Sequence, residues 1–130
     1  MTTFLLGVVD VHGTAALCDY LGDHVDADDA VHVINSLVGG DDTSAEDVRD
    51  GEDALNAART RLAGTGADVE THQFVRGNEP HEDLLRYADE LVIGVRKRNP
   101  TAKVVFGSTA QRVLLNARVP VRVVPLVDLE

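Results

Sequence analysis

Residues 94–109 read GVRKRNPTAKVVFGST, and within them Gly94 and Gly107 bracket four cations, Arg96, Lys97, Arg98 and Lys103. Gly107 is followed directly by a hydroxyl pair, Ser108 and Thr109. The chemistry these residues share is anion binding. Ser108 and Gln111 have the spacing of a capping box, in which the two side chains satisfy orphan amides at a helix start. Gly107 lets a ligand approach the backbone closely, and the exposed amides and helix dipole then attract negative charge. Gly94, placed at the end of a central strand, lets a loop turn sharply against a phosphate, while the cations supply the field. The same residues also suit a capped helix and a solvated basic loop with no ligand. The stretch is neither a Walker A loop, since no Gly-Lys-Ser/Thr follows at the required interval, nor a dinucleotide fingerprint.

Other chemistry is thinly provided for. The five histidines, His12, His24, His32, His72 and His81, are scattered along the chain, and no two stand at metal-ligand spacing with a third candidate nearby, so no metal site of their own is expected. No Ser-His-Asp or Cys-His arrangement can be read, and no catalytic residue is assigned. The single cysteine, Cys18, reads as a small buried residue on a helix. Asp10, the acid that ends the first apolar run, is a candidate either for contact with a ligand or for capping the next helix.

The charge pattern isolates the basic stretch. The chain of 130 residues has a formal net charge of −10, with 22 acids and 12 bases. Residues 91–127 nevertheless carry seven bases and no acid, against five bases and 20 acids in residues 1–90. The acidic bulk argues against a nucleic-acid partner, which needs a basic face, while leaving a local anion site open. Fifteen of the acids are Asp and only two of the bases are Lys, a skew that points to a halophilic, high-salt cytoplasm. No apolar run approaches the roughly 20 residues that cross a bilayer, and the N-terminus lacks the pattern of a secretory leader. A cytoplasmic location is expected, with no membrane partner.

The elements that must position these residues alternate. Residues 4–9 and 30–35 are apolar, β-compatible runs; 67–75 alternates as an edge strand does; 91–95 is the most buried-looking run; and 119–127 is a final strand. Between them Thr14 is expected to cap one helix and Thr43 or Ser44 a longer one that stops at Gly64 or Gly66. A third helix is expected to start at Pro80, and a fourth to run from Ser108 to about Asn116. The order βαβαβαβαβ implies an α/β fold over residues 1–130, a single Rossmann-like domain. Its core is a doubly wound, five-stranded parallel sheet with helices on both faces. Such sheets bind ligands beyond the carboxyl ends of their strands, where strand order reverses. That places Asp10, Asn35, Gly94 and the basic loop near one another.

The stretch from LVIGVRKRNP to RVVP resembles the carboxyl-terminal signature of the universal stress protein family: Gly, two residues, Gly, nine residues, Gly, then Ser or Thr. Gly94, Gly107 and Ser108 keep that spacing, while Lys97 stands where the second glycine is expected. The resemblance extends over the chain, through VVD ending at Asp10, VHVIN, and the RGNEP turn with LLRYA. It implies ATP or AMP in the cleft, with Mg²⁺ as a candidate bridge between phosphates. Asp10 and Val33, the latter through its backbone, would then face the nucleoside. Gly94, Gly107, Ser108 and Thr109 would face the phosphates, within the charge of Lys97 and Arg98. It also implies a homodimer through the last strand and a non-enzymatic stress-response role, any hydrolysis being slow because no general base is apparent. A dimerising interaction module that has lost the nucleotide and keeps at most a small-anion site is the alternative, motivated by Lys97 and by the changed turn after Asp10.

Overall fold

The computed structural model describes residues 1–8, 11–37, 44–75, 88–97, 104–105 and 114–126. In chain order these form β1 (Thr3–Gly7), α1 (Val11–Gly22), β2 (Ala30–Leu37), α2 (Ala45–Leu62), β3 (Asp68–Val75), β4 (Glu90–Lys97), β5 (Val104–Val105) and β6 (Val121–Leu126). Residues 114–116 are also helical, at the expected end of the fourth helix. The helix expected from Pro80 and the start of the one expected at Ser108 lie outside the described residues.

Five strands run parallel in the order β3-β2-β1-β4-β6, and the short β5 pairs antiparallel with the end of β4. This is the expected five-stranded parallel sheet. Alternation along each strand divides its side chains between two cores. Phe4, Leu6, Val8, Val31, Val33 and Val92 pack with Leu17, Cys18 and Leu21 of α1 and with Ala54, Leu55, Ala58 and Leu62 of α2. Leu5, Ile34, Leu91 and Ile93 pack on the other face with Ala88, bordered by Leu114, Ala117, Val119 and Val121. Apart from Phe4 and Cys18 the described buried apolar residues are aliphatic, as the scarcity of aromatics requires. Burial pushes the Cys18 thiol up to about 11, so it is held as the neutral, unreactive form.

Helix α2 follows from its sequence. Ser44 and Asp47 form a reciprocal capping box, Glu46 and Asp47 sit at the positive end of the dipole, and Arg59 and Arg61 at the negative end. Gly66 then adopts φ +78°, a left-handed geometry that favours glycine, and stops the helical path. Helix α1 differs from expectation. It begins at Val11 rather than after Thr14, which lies fully buried inside the helix. The exposed Val11 and His12 extend the helix back toward the end of β1, so its N-terminus faces the carboxyl end of the sheet.

The amino ends of the strands are tied together by Asp29. Its carboxylate accepts hydrogen bonds from the backbone N–H of Thr2 at 2.8 Å and of Asp26 at 2.9 Å, while its carbonyl accepts from Asp68 at 3.1 Å. The Asp26 amide, then the Thr2 amide, hold the Asp29 carboxyl below its ordinary value of 3.8. A depressed carboxylate contributes stability above its unfolded pKa of about 3.9 and loses it as pH falls through the lower folded value. The wild type is therefore expected to exceed Asp29→Asn in urea midpoint at pH 7, with the gap closing as pH drops from about 5 toward 3. A gap that stays constant with pH would show that ionised Asp29 contributes nothing.

Candidate functional site

In the order β3-β2-β1-β4-β6 the chain winds one way from β1 and the other way from β4, so the switch point lies between these two strands. β1 leads through Val8 toward the start of α1, and β4 ends at Arg96 and Lys97. Arg96 stands opposite Val105 and Leu126 at once. A strand residue has one neighbour on each edge, so β5 occupies the column of β1, past the point where β1 ends. A short antiparallel hairpin drawn from the basic stretch thus lies beside the end of β4, on the side of β1.

That hairpin corrects the sequence reading of Gly94. The residue does not end its strand: β4 continues three residues further, and Gly94 lies inside it opposite Val124. Ladder pairing with β5 and β6 extends the strand, because a partner satisfies backbone groups that a loop would leave open. Lys97 consequently has strand geometry, opposite Val104, which any residue adopts. A lysine in place of a signature glycine demands no strained backbone here. Val33 lies within β2, paired between Leu6 and Thr71, with a fully buried side chain. Asp10, Arg98, Gly107, Ser108 and Thr109 lie outside the described residues.

At the carboxyl end of β1 lies a polar network that periodicity did not reveal. Asn35, 2% exposed, donates from Nδ2 to the Val8 carbonyl at 3.0 Å and accepts at Oδ1 from Gln73 Nε2 at 3.2 Å. Gln73 Nε2 also donates to the Val48 carbonyl of α2 at 3.0 Å. With the Val8 N–H bonded to the Ile34 carbonyl at 2.9 Å, both backbone groups of Val8 are held, two residues before Asp10. Only a glycine at 51 permits this. A Cβ there would come within 2.7 Å of both Asn35 Cγ and Gln73 Nε2, closer than real contacts allow. The sequence hint was present, in a glycine inside a long helical pattern and a polar residue at the end of an apolar strand.

A second polar group lies on the opposite face of the sheet. The register of β2 with β3 sets His32 against Glu70, and His72 two residues further on the same face. His32 Nδ1 is 3.4 Å from His72 Nε2 and 3.4 Å from Glu70 Oε2, while His72 Nε2 is 3.8 Å from that oxygen. Burial first, and then the neighbouring His32, lower the His72 pKa against a smaller opposing effect of Glu70. Linear spacing conceals the group because its members come from two strands separated by α2. At the far edge Arg122 of β6 donates to Glu90 Oε1 and, at 2.7 Å, to the hydroxyl of Tyr20, joining β6 to β4 and α1.

Among the described residues no helix is long and apolar enough to cross a membrane. The sequence pattern of the Universal stress protein family matches residues 13–125. A curated universal stress protein of Mycolicibacterium smegmatis is 35% identical over 117 residues, which cover 86% of this chain and 88% of the relative. Among solved structures, the universal stress protein of Archaeoglobus fulgidus is 31% identical with a TM-score of 0.70, covering 95% of this chain and 98% of its own. A second structure of an Archaeoglobus fulgidus universal stress protein, in complex with dAMP, is 27% identical with a TM-score of 0.64 and covers 95% and 97%.

Proposed function

The chain belongs to the universal stress protein family, and from that premise we propose that it binds an adenine nucleotide, AMP or ATP, in the crevice between β1 and β4. It does so as a dimeric regulatory module rather than a catalyst. The observation that carries the reading is the switch point itself. It lies where β1 leads toward Asp10 and β4 leads into the basic stretch, and a 27% identical relative holds dAMP. The nucleoside would lie toward Asp10 and the backbone of Val33. The phosphates would meet Gly107, Ser108 and Thr109 near the strand carrying Gly94, in the field of Lys97 and Arg98; Mg²⁺ would have a place only as a phosphate counter-ion.

The acid-free segment supports the phosphate end of this assignment. In a chain of net charge −10, cations collected in one run focus an anion where a uniform surface would repel it. The dimer draws on β6, which among the described residues pairs only with β4 and leaves Val123 46% exposed. An open edge of this kind is a template for pairing, and a two-fold copy would cover it.

Calorimetry with AMP, dAMP and ATP in high salt, suited to the aspartate-rich surface, tests the proposal. Saturable 1:1 binding is expected, with Gly107→Asp weakening it by at least 100-fold, about 2.7 kcal/mol, because a side chain and a negative charge would enter the phosphate position. An unmodified protein without saturable binding overturns the nucleotide assignment. If light scattering still reports a dimer, the chain is a dimerising module that has lost its ligand; a monomer at micromolar concentration overturns the β6 pairing.

A further inference from the structure

We infer that His32, Glu70 and His72 form a binding site for a first-row divalent cation, zinc by the chemistry of its donors, on the sheet face opposite α1 and α2. The three residues offer two imidazole nitrogens and one carboxylate oxygen, all within 4.8 Å of one another. Their donor separations of 3.4, 3.4 and 3.8 Å approach the edges of a zinc tetrahedron, roughly 3.3–3.6 Å for bonds of roughly 2.0–2.2 Å. A point equidistant from all three donors lies about 2.1 Å from each, within the range of Zn–N and Zn–O bonds.

The backbone preorganises this convergence. Parallel pairing of β2 with β3 continues from Ala30 opposite Asp68 to Leu37 opposite Val75, so the Cα positions of the three ligands belong to a regular ladder. Side chains at 70 and 72 share a face by the two-residue period of a strand, and His32 shares it by its pairing with Glu70. The two imidazoles are each about three-quarters buried, at 22% and 29% exposure, whereas Glu70 is 57% exposed. An ion can therefore enter from the Glu70 side with little rearrangement.

The donor set selects the metal. Two imidazoles with one carboxylate suit zinc and its neighbours, whereas Mg²⁺ and Ca²⁺ prefer shells made wholly of oxygen. Three protein ligands leave the fourth tetrahedral position for water or an incoming donor. Bound there, the ion would clasp the edge strand β3 to β2. The site stands in mid-strand on β2 and β3, away from the β1–β4 crevice, so it is independent of the nucleotide assignment.

Titration calorimetry of the untagged protein with Zn²⁺ in molar NaCl tests the site, the salt and an excess of Mg²⁺ suppressing loose association with surface carboxylates. One equivalent is expected to bind with a micromolar or tighter Kd. At a free zinc concentration of 100 Kd the folding equilibrium should rise about 100-fold, reversed by EDTA. His32→Gln, His72→Gln and Glu70→Gln should each weaken binding by more than tenfold, while His12→Gln on the exposed start of α1 leaves it unchanged. Co²⁺ should give a tetrahedral visible spectrum that His72→Gln abolishes. Glu70→Gln changes an exposed, near-isosteric side chain, so the test survives if a histidine variant fails to fold. No stoichiometric binding, or undiminished binding in any of the three ligand variants, overturns the site.

Discussion

Gly51→Ala is expected to destabilise the protein by about 2–4 kcal/mol, although alanine is the better helix former. In an exposed helix interior the exchange would stabilise by roughly 0.5–1 kcal/mol, because glycine loses more backbone entropy on folding. Position 51 is buried instead, and the added methyl would press on the Asn35 amide and on Gln73 Nε2. Asn35 is buried and cannot swing into solvent, and the partly buried Gln73 would have to give up its own hydrogen bonds to do so. Asn35 is held by the Val8 carbonyl and by Gln73, and Gln73 is held by the Val48 carbonyl. Overpacking of a dense interior costs roughly 1–3 kcal/mol, and displacing a buried amide from its partners roughly 1–3 kcal/mol more, so the clash outweighs the propensity gain. The effect is a large part of the roughly 5–15 kcal/mol that separates folded from unfolded domains. Urea unfolding followed by circular dichroism checks it: the midpoint should fall with an unchanged slope. An equal or raised midpoint would show that α2 yields without cost.

The second large effect is at Asn35. Asn35→Ala removes the side-chain donor to the Val8 carbonyl and one acceptor of Gln73, and leaves a void beneath the end of β1. Orphaning a buried carbonyl costs roughly 1–3 kcal/mol, and a small unfilled void adds to it, so a loss of about 2–3 kcal/mol is expected. The two substitutions should then be strongly non-additive. With Asn35 truncated, the methyl introduced by Gly51→Ala enters the vacated space and conflicts chiefly with Gln73. The double variant should be more stable than the sum of the single losses by about 1–2 kcal/mol, in the range measured for contacting residues. Additivity within about 0.5 kcal/mol would deny the close approach of α2 to this amide. Because Asn35 secures Val8, two residues before Asp10, its truncation also tests whether a firm end to β1 matters for nucleotide affinity at temperatures where the variant is folded.

Much of the architecture was legible because its signals are local. The alternation of Val69, Thr71 and Gln73 against Glu70 and His72 marked a strand near the edge, and among the described residues β3 is the outermost on its side. The hydroxyls at 43 and 44, the glycines at 64 and 66 and the run 91–95 likewise announced a cap, a helix stop and a buried strand, and the structure uses Ser44 and Gly66 and buries Leu91 to Ile93. The misplacements were also local. Thr14 offered a cap the helix did not use, since α1 starts three residues earlier, and Gly94 offered a turn the chain did not take, since β5 returned to extend β4. Propensity describes what a residue permits; hydrogen-bonding partners from elsewhere decide which permitted state is filled. Of the basic segment, the composition and spacing were readable, along with its position in an otherwise acidic chain. The hairpin was not, because it arises from pairing at the end of β4.

By itself, the sequence determined the alternating elements, the parallel α/β class, the aliphatic core and an acid-free run whose charge suits a local anion site. These rest on periodicity, capping and charge, which act over a few residues and need no partner. Only the tertiary structure decided that Gly51 must lack a side chain, that Asn35 supports the end of β1, and that His32 meets Glu70 and His72. Each of those depends on which strands lie side by side and in what register. That choice is made by packing the whole sheet against its helices, and so it is written in no single stretch of the chain.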